Sequence, residues 1–395
     1  MRLLFAHDHR FHRGPNGELY TLGSFPTSVW DRYLSHFDEV HVLARDGGAL
    51  PAGSQLARAD RDRVRFEFLP SLSSLRQLVF RSPEVDARVR AAIEASDAVV
   101  ARLPSEIGQL AVRHARRLGK PYAVEVVGCA WDASFKHGAL GARLYAPLAF
   151  ARTRKAVAEA PLALYVTRSW LQERYPTGGK SGSSSNVALL PMSATARKRR
   201  ESRLAALASG VPPVLGTVAS LHVKSKGIQT ALAALALLRS EGLDLTYRIL
   251  GPGPTERWRN LAERRGVGDL VHFDGTRSAG EQVLEWLDGI DLHLQPSFQE
   301  GLPRATIEAM SRGAACVGST CGGIPELLPP DRVHRPGDAR GLAAIVRRLA
   351  SDPAAIAAAS KADRETTRDY DPETLDRRRT EFYAQLRQMA EAGPR

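Results

Sequence analysis

The chain has 395 residues, enough for two α/β cores rather than one. Its apolar share of 43% and charged share of 25% are ordinary for a globular protein and exclude a largely disordered chain. A net charge of +12 favours anionic partners such as nucleotides or acidic lipid surfaces, but no zinc spacing or aromatic RNP strand accompanies it, so a nucleic-acid reader is not indicated.

The opening "MRLLFAHDHRF" holds too short an apolar run for a secretory signal. No apolar stretch reaches the roughly 18–20 residues of a membrane span. The expectation is a cytoplasmic protein, at most peripheral at the inner membrane face. Cys129, Cys316 and Cys321 have no partner spacing for zinc and are read as reduced thiols.

Short apolar runs predict strands at 2–7, 39–45, 63–69, 98–103, 121–127, 162–167 and 187–190, with helices at 107–118 and 141–158 among them. A Ser/Gly stretch, "TGGKSGSSSN" (177–186), and a basic run, "RKRRESR" (197–203), follow. The basic run reads as solvated linker, with a lipid-facing patch as the second reading. The series then restarts. Strands are predicted at 215–220, 245–250, 270–274, 292–296 and 315–319, and helices at 227–240, 255–265, 279–288 and 303–312. Strand–helix alternation argues for parallel sheets covered by helices on both faces. The fold class is therefore α/β, with two Rossmann-like doubly wound domains facing a cleft. The expected division is residues 1–200, 201–371 and a last helix, 372–395, packing back on the first domain.

The stretch "QPSFQEGLPRATIEAM" (295–310) carries the chemistry. Gly301 permits a tight turn or a close ligand approach. Pro303 suits the first helical position, and Gly313 suits the cap at the other end. The first N–H groups of that helix lack internal partners and sit at the positive end of its dipole, which makes an anion site. Glu300 stands before the helix and Glu308 one turn inside it. Two carboxylates flanking an anion site fit a ligand with hydroxyls at both ends and phosphate between them. A carboxylate accepts two bonds from a vicinal diol.

E-x7-E in "PSFQEGLPRATIEAM", followed by "GGIPELL" (322–328), resembles the signature of retaining family-four glycosyltransferases with the GT-B fold. "GTVASLHVKSKGIQTALAALALL" (216–238), with its Lys226–Gly227 pair, resembles the family's phosphate-binding strand–loop–helix. "RILGPGP" (248–254) and "LVHFDGTR" (270–277) resemble its base-pocket segments. "FHRGPNGELYTLGSFPTSVWDRYLSHFDEVHVLAR" (11–45) resembles the glycine loop and first helix of polysaccharide-type members. The resemblance implies that Glu300 holds donor-sugar hydroxyls, Glu308 the ribose hydroxyls and Lys226 the diphosphate. It also implies contacts from Gly301, Leu302 and Thr306, and from the Gly17 backbone. It implies no metal or other cofactor, because Lys226 and the helix N-terminus supply the charge. Ser220 or Leu221 stands where many members have an Arg, with Lys224 as a substitute. The loop "GCAWDAS" lacks the family His, which leaves Glu125, Trp131 and Asp132 as acceptor-side candidates.

The leading reading is a retaining transferase moving a hexose from a nucleotide sugar, with UDP as the expected nucleotide, to a hydroxyl acceptor that is lipid-linked or a natural product. A nucleotide-sugar 2-epimerase and a non-catalytic nucleotide-sugar binder are the alternatives. A glycosidase fits less well, because its two acids must flank one bond.

Overall fold

The computed structural model describes residues 1–21, 25–50, 56–70, 83–135 and 140–393. The described chain divides into two units, residues 1–184 with 375–395, and residues 185–374.

The strands of the first unit are β1 (Arg2–Arg13), β2 (Leu19–Thr21), β3 (Glu39–Ala49), β4 (Ala57–Arg58), β5 (Val64–Leu69), β6 (Ala98–Leu103), β7 (Tyr122–Val126), β8 (Leu162–Tyr165) and β9 (Lys180–Ser183). Its parallel sheet runs β5-β3-β1-β6-β7-β8-β9. β2 and β4 extend the far end of β1 as antiparallel strands. One face of the sheet buries Leu4, Leu43, Val99 and Val124, and the other buries Leu3, Phe5, Val42 and Val100. This is the period-2 alternation of strands covered on both faces. The direction of strand order reverses between β1 and β6.

The second unit holds β10 (Leu215–Val218), β11 (Tyr247–Leu250), β12 (Val271–Phe273), β13 (Leu292–Gln295), β14 (Ala315–Ser319) and β15 (Val333–His334). The sheet order is β12-β11-β10-β13-β14-β15, all parallel. Its switch point lies between β10 and β13. Such sheets bind ligands outside the carboxyl ends of the strands at that point.

Three expectations differ from this fold. No strand forms at 187–190; the sheet edge is Lys180–Ser183, a run without apolar alternation. The small Gly182 there leaves room for Phe382 of the last helix, Pro372–Glu391. The division falls after Ser184 rather than after residue 200. The basic run 197–203 is not solvated linker: it lies inside the helix Ala194–Ala208, started by Ser193 accepting from the Ala196 N–H. Arg200 is buried and donates to the carbonyls of Arg312 (3.0 Å) and Ile290 (2.8 Å), while Arg203 pairs with the fully buried Asp291. The helix is thereby locked onto the second unit, because a buried guanidinium requires partners for its donors. The helix Pro372–Glu391 belongs to the first unit, where Phe382, Tyr383 and Leu386 are buried.

Candidate functional site

The site in the second unit is built at the β10/β13 switch point. After β10 the chain makes a short 3-10 turn, Lys224–Lys226, and enters the helix Ile228–Ser240 through Gly227. Gly227 has φ +77°, and a Cβ there would lie 1.8 Å from the Pro296 carbonyl oxygen. Only glycine brings the two loops this close. The loops are also joined by the Phe298 N–H donating to the Ser225 carbonyl at 2.7 Å.

This approach places Lys226 Nζ 2.7 Å from Glu300 Oε1, although 74 positions separate them in sequence. The same Oε1 accepts from Gln295 Nε2 (2.9 Å) and Ser297 Oγ (2.8 Å). Among the described residues Oε2 accepts no bond. Glu300 is thus clamped through one oxygen, with the other unpaired among the described residues. Its loop is held from behind, since the Gly323 N–H donates to the Gly301 carbonyl at 2.7 Å. A Cβ on Gly322 (φ +60°) would meet the Glu300 carbonyl oxygen at 2.4 Å, so the "GGIPE" turn depends on glycine at this position.

The helix that follows runs Arg304–Ser311, with Pro303 just before it in extended conformation and Gly313 at φ +71° just beyond. Its first backbone bond is Ile307 N–H to the Pro303 carbonyl, at 3.4 Å. The N–H groups of Leu302, Arg304, Ala305 and Thr306 find no partner among the described residues. Together they are the free donors that any helix start leaves, the feature on which the expected anion site depends. The Thr306 hydroxyl turns inward to Gln295 Oε1 (3.3 Å), so its backbone rather than its side chain faces this site.

Glu308 is half-buried, and its carboxylate accepts no bond from the described residues. Burial raises its pKa above the usual carboxylate range, against the pull of Arg304. A carboxylate left without donors in a partly desolvated place costs stability unless a ligand supplies them. Two outcomes follow. Glu308→Gln should leave the empty protein as stable as wild type or more so, because the unpaired charge is gone. Glu308→Ala should weaken binding of a bare nucleoside diphosphate by about 1.5–3 kcal/mol, whereas Glu300→Ala should spare the bare nucleotide and impair the sugar-bearing donor. Titration calorimetry on the two alanine variants checks this, and equal losses for the bare nucleotide would contradict the division. The sign with pH is fixed as well. Hydroxyls bound in the way the resemblance implies would favour the ionised Glu308, so affinity should fall as pH drops through its raised pKa.

The neighbouring segments are ordered around this centre. Asp274 accepts from Trp286 Nε1 (2.7 Å) and pairs with Arg248 (2.8 Å), fixing the loop after β12. Arg257, which sequence reasoning passed over, donates to the Leu221 carbonyl and covers the Trp258 ring at 4.3 Å. It braces the loop where Leu221 stands. Lys224 is exposed.

In the first unit Gly17 sits at the tip of the β1–β2 hairpin with φ +89° and open space around its α-carbon. Residues 22–24 of the segment that resembles a glycine loop lie outside the described residues. The proposed acceptor-side role of Glu125 is not supported by its position. It is buried on β7 and accepts from the Tyr33 (2.7 Å) and Tyr383 (2.6 Å) hydroxyls, with Arg102 at 2.7 Å on its second oxygen. Burial opposes its ionisation, but Arg102, the tyrosine hydroxyls and Arg32 outweigh that and hold its carboxyl below the usual range. Its capacity is used in holding the last helix to the sheet. Trp131 and Asp132 lie on the short helix Ala130–Phe135 after β7 and are half-buried; Trp131 meets Phe150 edge-on at 6.4 Å. Sequence reasoning missed the middle of β1, just past its pairing with β6. Asp8 there accepts from the Glu106 and Ile107 N–H groups (2.8 and 3.0 Å), and His7 Nδ1 is buried without a partner. Burial and Arg102 lower the His7 pKa well below its ordinary value, and His9 falls to about 4, so both rings are neutral at pH 7.

Residues 212–352 match the family model described as Glycosyl transferases group 1. Protein CapJ of Staphylococcus aureus is 29% identical over 350 residues, 88% of this chain and 86% of CapJ. A putative colanic acid biosynthesis glycosyltransferase, WcaL of Escherichia coli, is 38% identical over 34% of this chain and 36% of its own length. In structure, Anabaena Alr3699/HepE, crystallised with UDP and glucose, superimposes with TM-score 0.65 at 19% identity, covering 97% of this chain and 99% of that one. Residues 212–352 of the second unit are thus similar to the group 1 glycosyl transferases, and the fold is the GT-B fold shared with this solved structure.

Proposed function

We propose that the enzyme moves a hexose from a UDP-sugar to an acceptor hydroxyl with retention of anomeric configuration, in the assembly of a bacterial polysaccharide. The observation that carries this reading is the Lys226–Glu300 pair at 2.7 Å beside a helix start with partnerless N–H groups. That arrangement offers a cation and backbone donors to a diphosphate, and the unused Glu300 oxygen to a sugar hydroxyl. HepE, of the same fold, was crystallised with UDP and glucose, and WcaL is named for colanic acid biosynthesis; both support the choice of donor and setting.

The demand of the reaction is a diphosphate that gains charge as the glycosyl bond breaks. Preorganised donors aimed at that charge lower the barrier. In this reading Lys226 and the N–H groups of residues 302 and 304–306 stabilise the leaving group, Glu300 orients the sugar and Glu308 holds the ribose. The leaving phosphate oxygen takes the acceptor proton on the same face. No metal is required, since the lysine and helix start supply the positive charge. Turnover in excess EDTA should therefore match turnover with magnesium. Proton NMR of the product should show the anomeric coupling of the donor. Activity lost in EDTA and restored by a divalent ion would refute the metal-free mechanism, and an inverted product would refute retention.

A further inference from the structure

We propose that the second unit holds a further anion site, a groove between the helices Ala194–Ala208 and Pro353–Thr366 that takes a small molecule bearing two or more phosphate groups. The groove has a volume of about 470 Å³ and is lined by both helices and by the short 3-10 turn Thr367–Tyr370. That volume lies in the range of small-molecule sites, roughly 300–1,000 Å³.

Its walls follow from helical spacing. Lys361, Arg364 and Arg368 recur every three to four residues, so they share one face of their helix and its continuation. Arg197 stands on the other helix, where its guanidinium donates to the Met192 carbonyl at 3.1 and 3.2 Å. All four cations are exposed. The side chains of Lys361, Arg364 and Arg368 find no hydrogen-bond or ion-pair partner among the described residues. Arg364 is nonetheless held in place. A Cβ on Gly313 would meet its Cδ at 3.3 Å, Ser360 Oγ at 3.1 Å and Arg200 Cγ at 3.4 Å, so its stem lies over that glycine. The Ser360 hydroxyl donates to the Gly313 carbonyl at 2.6 Å and fixes the same junction. A guanidinium fork placed in this way suits phosphate oxygens, which it can bind two at a time.

Charge decides the occupant. The neighbouring buried acids are spent: Asp288 on Arg312, Asp291 on Arg203 and Asp363 on Arg332. The carboxylates that line the groove are Glu201 and Glu365, both exposed, against the four cations above. Positive charge is left over even without Arg200, whose donors go to backbone carbonyls and Asp291. Like charges gathered in a concave place repel one another, and a multivalent anion relieves that repulsion.

The groove is separate from the donor site. Arg200 donates to the carbonyl of Arg312, the residue that closes the helix Arg304–Ser311, whereas the diphosphate is proposed to lie at the start of that helix. The 8 residues between put the two ends about 12 Å apart. Binding in the groove does not depend on the transferase reading.

The test is titration calorimetry of the full chain with sodium tripolyphosphate, without magnesium. Wild type is expected to bind, with an affinity that falls as salt rises. Lys226→Ala, altered at the donor site, should keep this binding. Lys361→Ala/Arg364→Ala/Arg368→Ala should weaken it roughly tenfold or more and melt no lower than wild type, because the repelling charges are gone. Arg368→Glu, a single exposed change outside the helix, repeats the test without burdening the fold. Absence of binding by wild type overturns the proposal, and so does equal binding by wild type and both groove variants. Binding lost in Lys226→Ala also overturns it, because the anion then sits at the donor site. Citrate bound as tightly as tripolyphosphate overturns it as well, because the groove then reads charge and not phosphate.

Discussion

Lys226→Ala is expected to lower sugar transfer by about 10²–10³-fold, the usual loss when one preorganised stabiliser of developing charge is removed. Nζ lies against Glu300 Oε1 at the switch point, beside the helix start, where the leaving diphosphate is proposed to sit. The Lys226 side chain is 29% exposed, against 8% for Glu300, so the ammonium can turn toward a phosphate while the carboxylate stays held by Gln295 and Ser297. For that reason the variant should keep its fold, and the loss should appear in turnover more than in thermal midpoint. Steady-state release of UDP, measured beside a melting curve, separates the two. Near-normal turnover in a folded variant would assign the role to another cation such as Lys224.

Glu125→Ala is expected to cost about 3–5 kcal/mol of stability, the range for stripping a buried charge of its partner. The substitution leaves Arg102 without its carboxylate and the hydroxyls of Tyr33 and Tyr383 without an acceptor. Tyr383 is fully buried on the last helix, so the same change loosens Pro372–Glu391 from the sheet. Urea unfolding followed by circular dichroism measures the loss. Glu125→Gln should lose less, since an amide oxygen can still accept from a tyrosine. The pH dependence follows from the depressed carboxyl. Its contribution is present above the unfolded-state pKa and disappears as pH falls through the lower folded-state value. A variant as stable as wild type would mean that the network holds nothing together.

Much of the fold could be read in one dimension because its signals are local. Strands 98–103 and 315–319 were placed to the residue by apolar runs bounded by turn formers, and the helix after Pro303 by its proline, its period and Gly313. The meeting of Lys226 with Glu300 was legible because glycine and proline mark the turns that bring the two loops together. Other features depended on partners far away in sequence. Arg200 reads as solvated in a basic run, yet its carbonyl partner at Arg312 is 112 positions distant. Glu125 reads as an available acid, but Tyr383, 258 positions on, occupies it. The strand at 180–183 carries no apolar pattern at all, since backbone pairing and a covering aromatic ring hold it. Local composition fixes neither burial nor pairing in such cases, and tertiary context overrides it.

Amide hydrogen exchange on the wild-type chain with and without a UDP-sugar tests the donor site most directly. The N–H groups of residues 302 and 304–306 have no partner among the described residues, so bound diphosphate should be what protects them. The account predicts slowed exchange confined to residues 224–228 and 301–309 of the second unit, with bare UDP reproducing most of it. A UDP-sugar that raises the melting temperature yet leaves both segments exchanging as in the empty protein would contradict it.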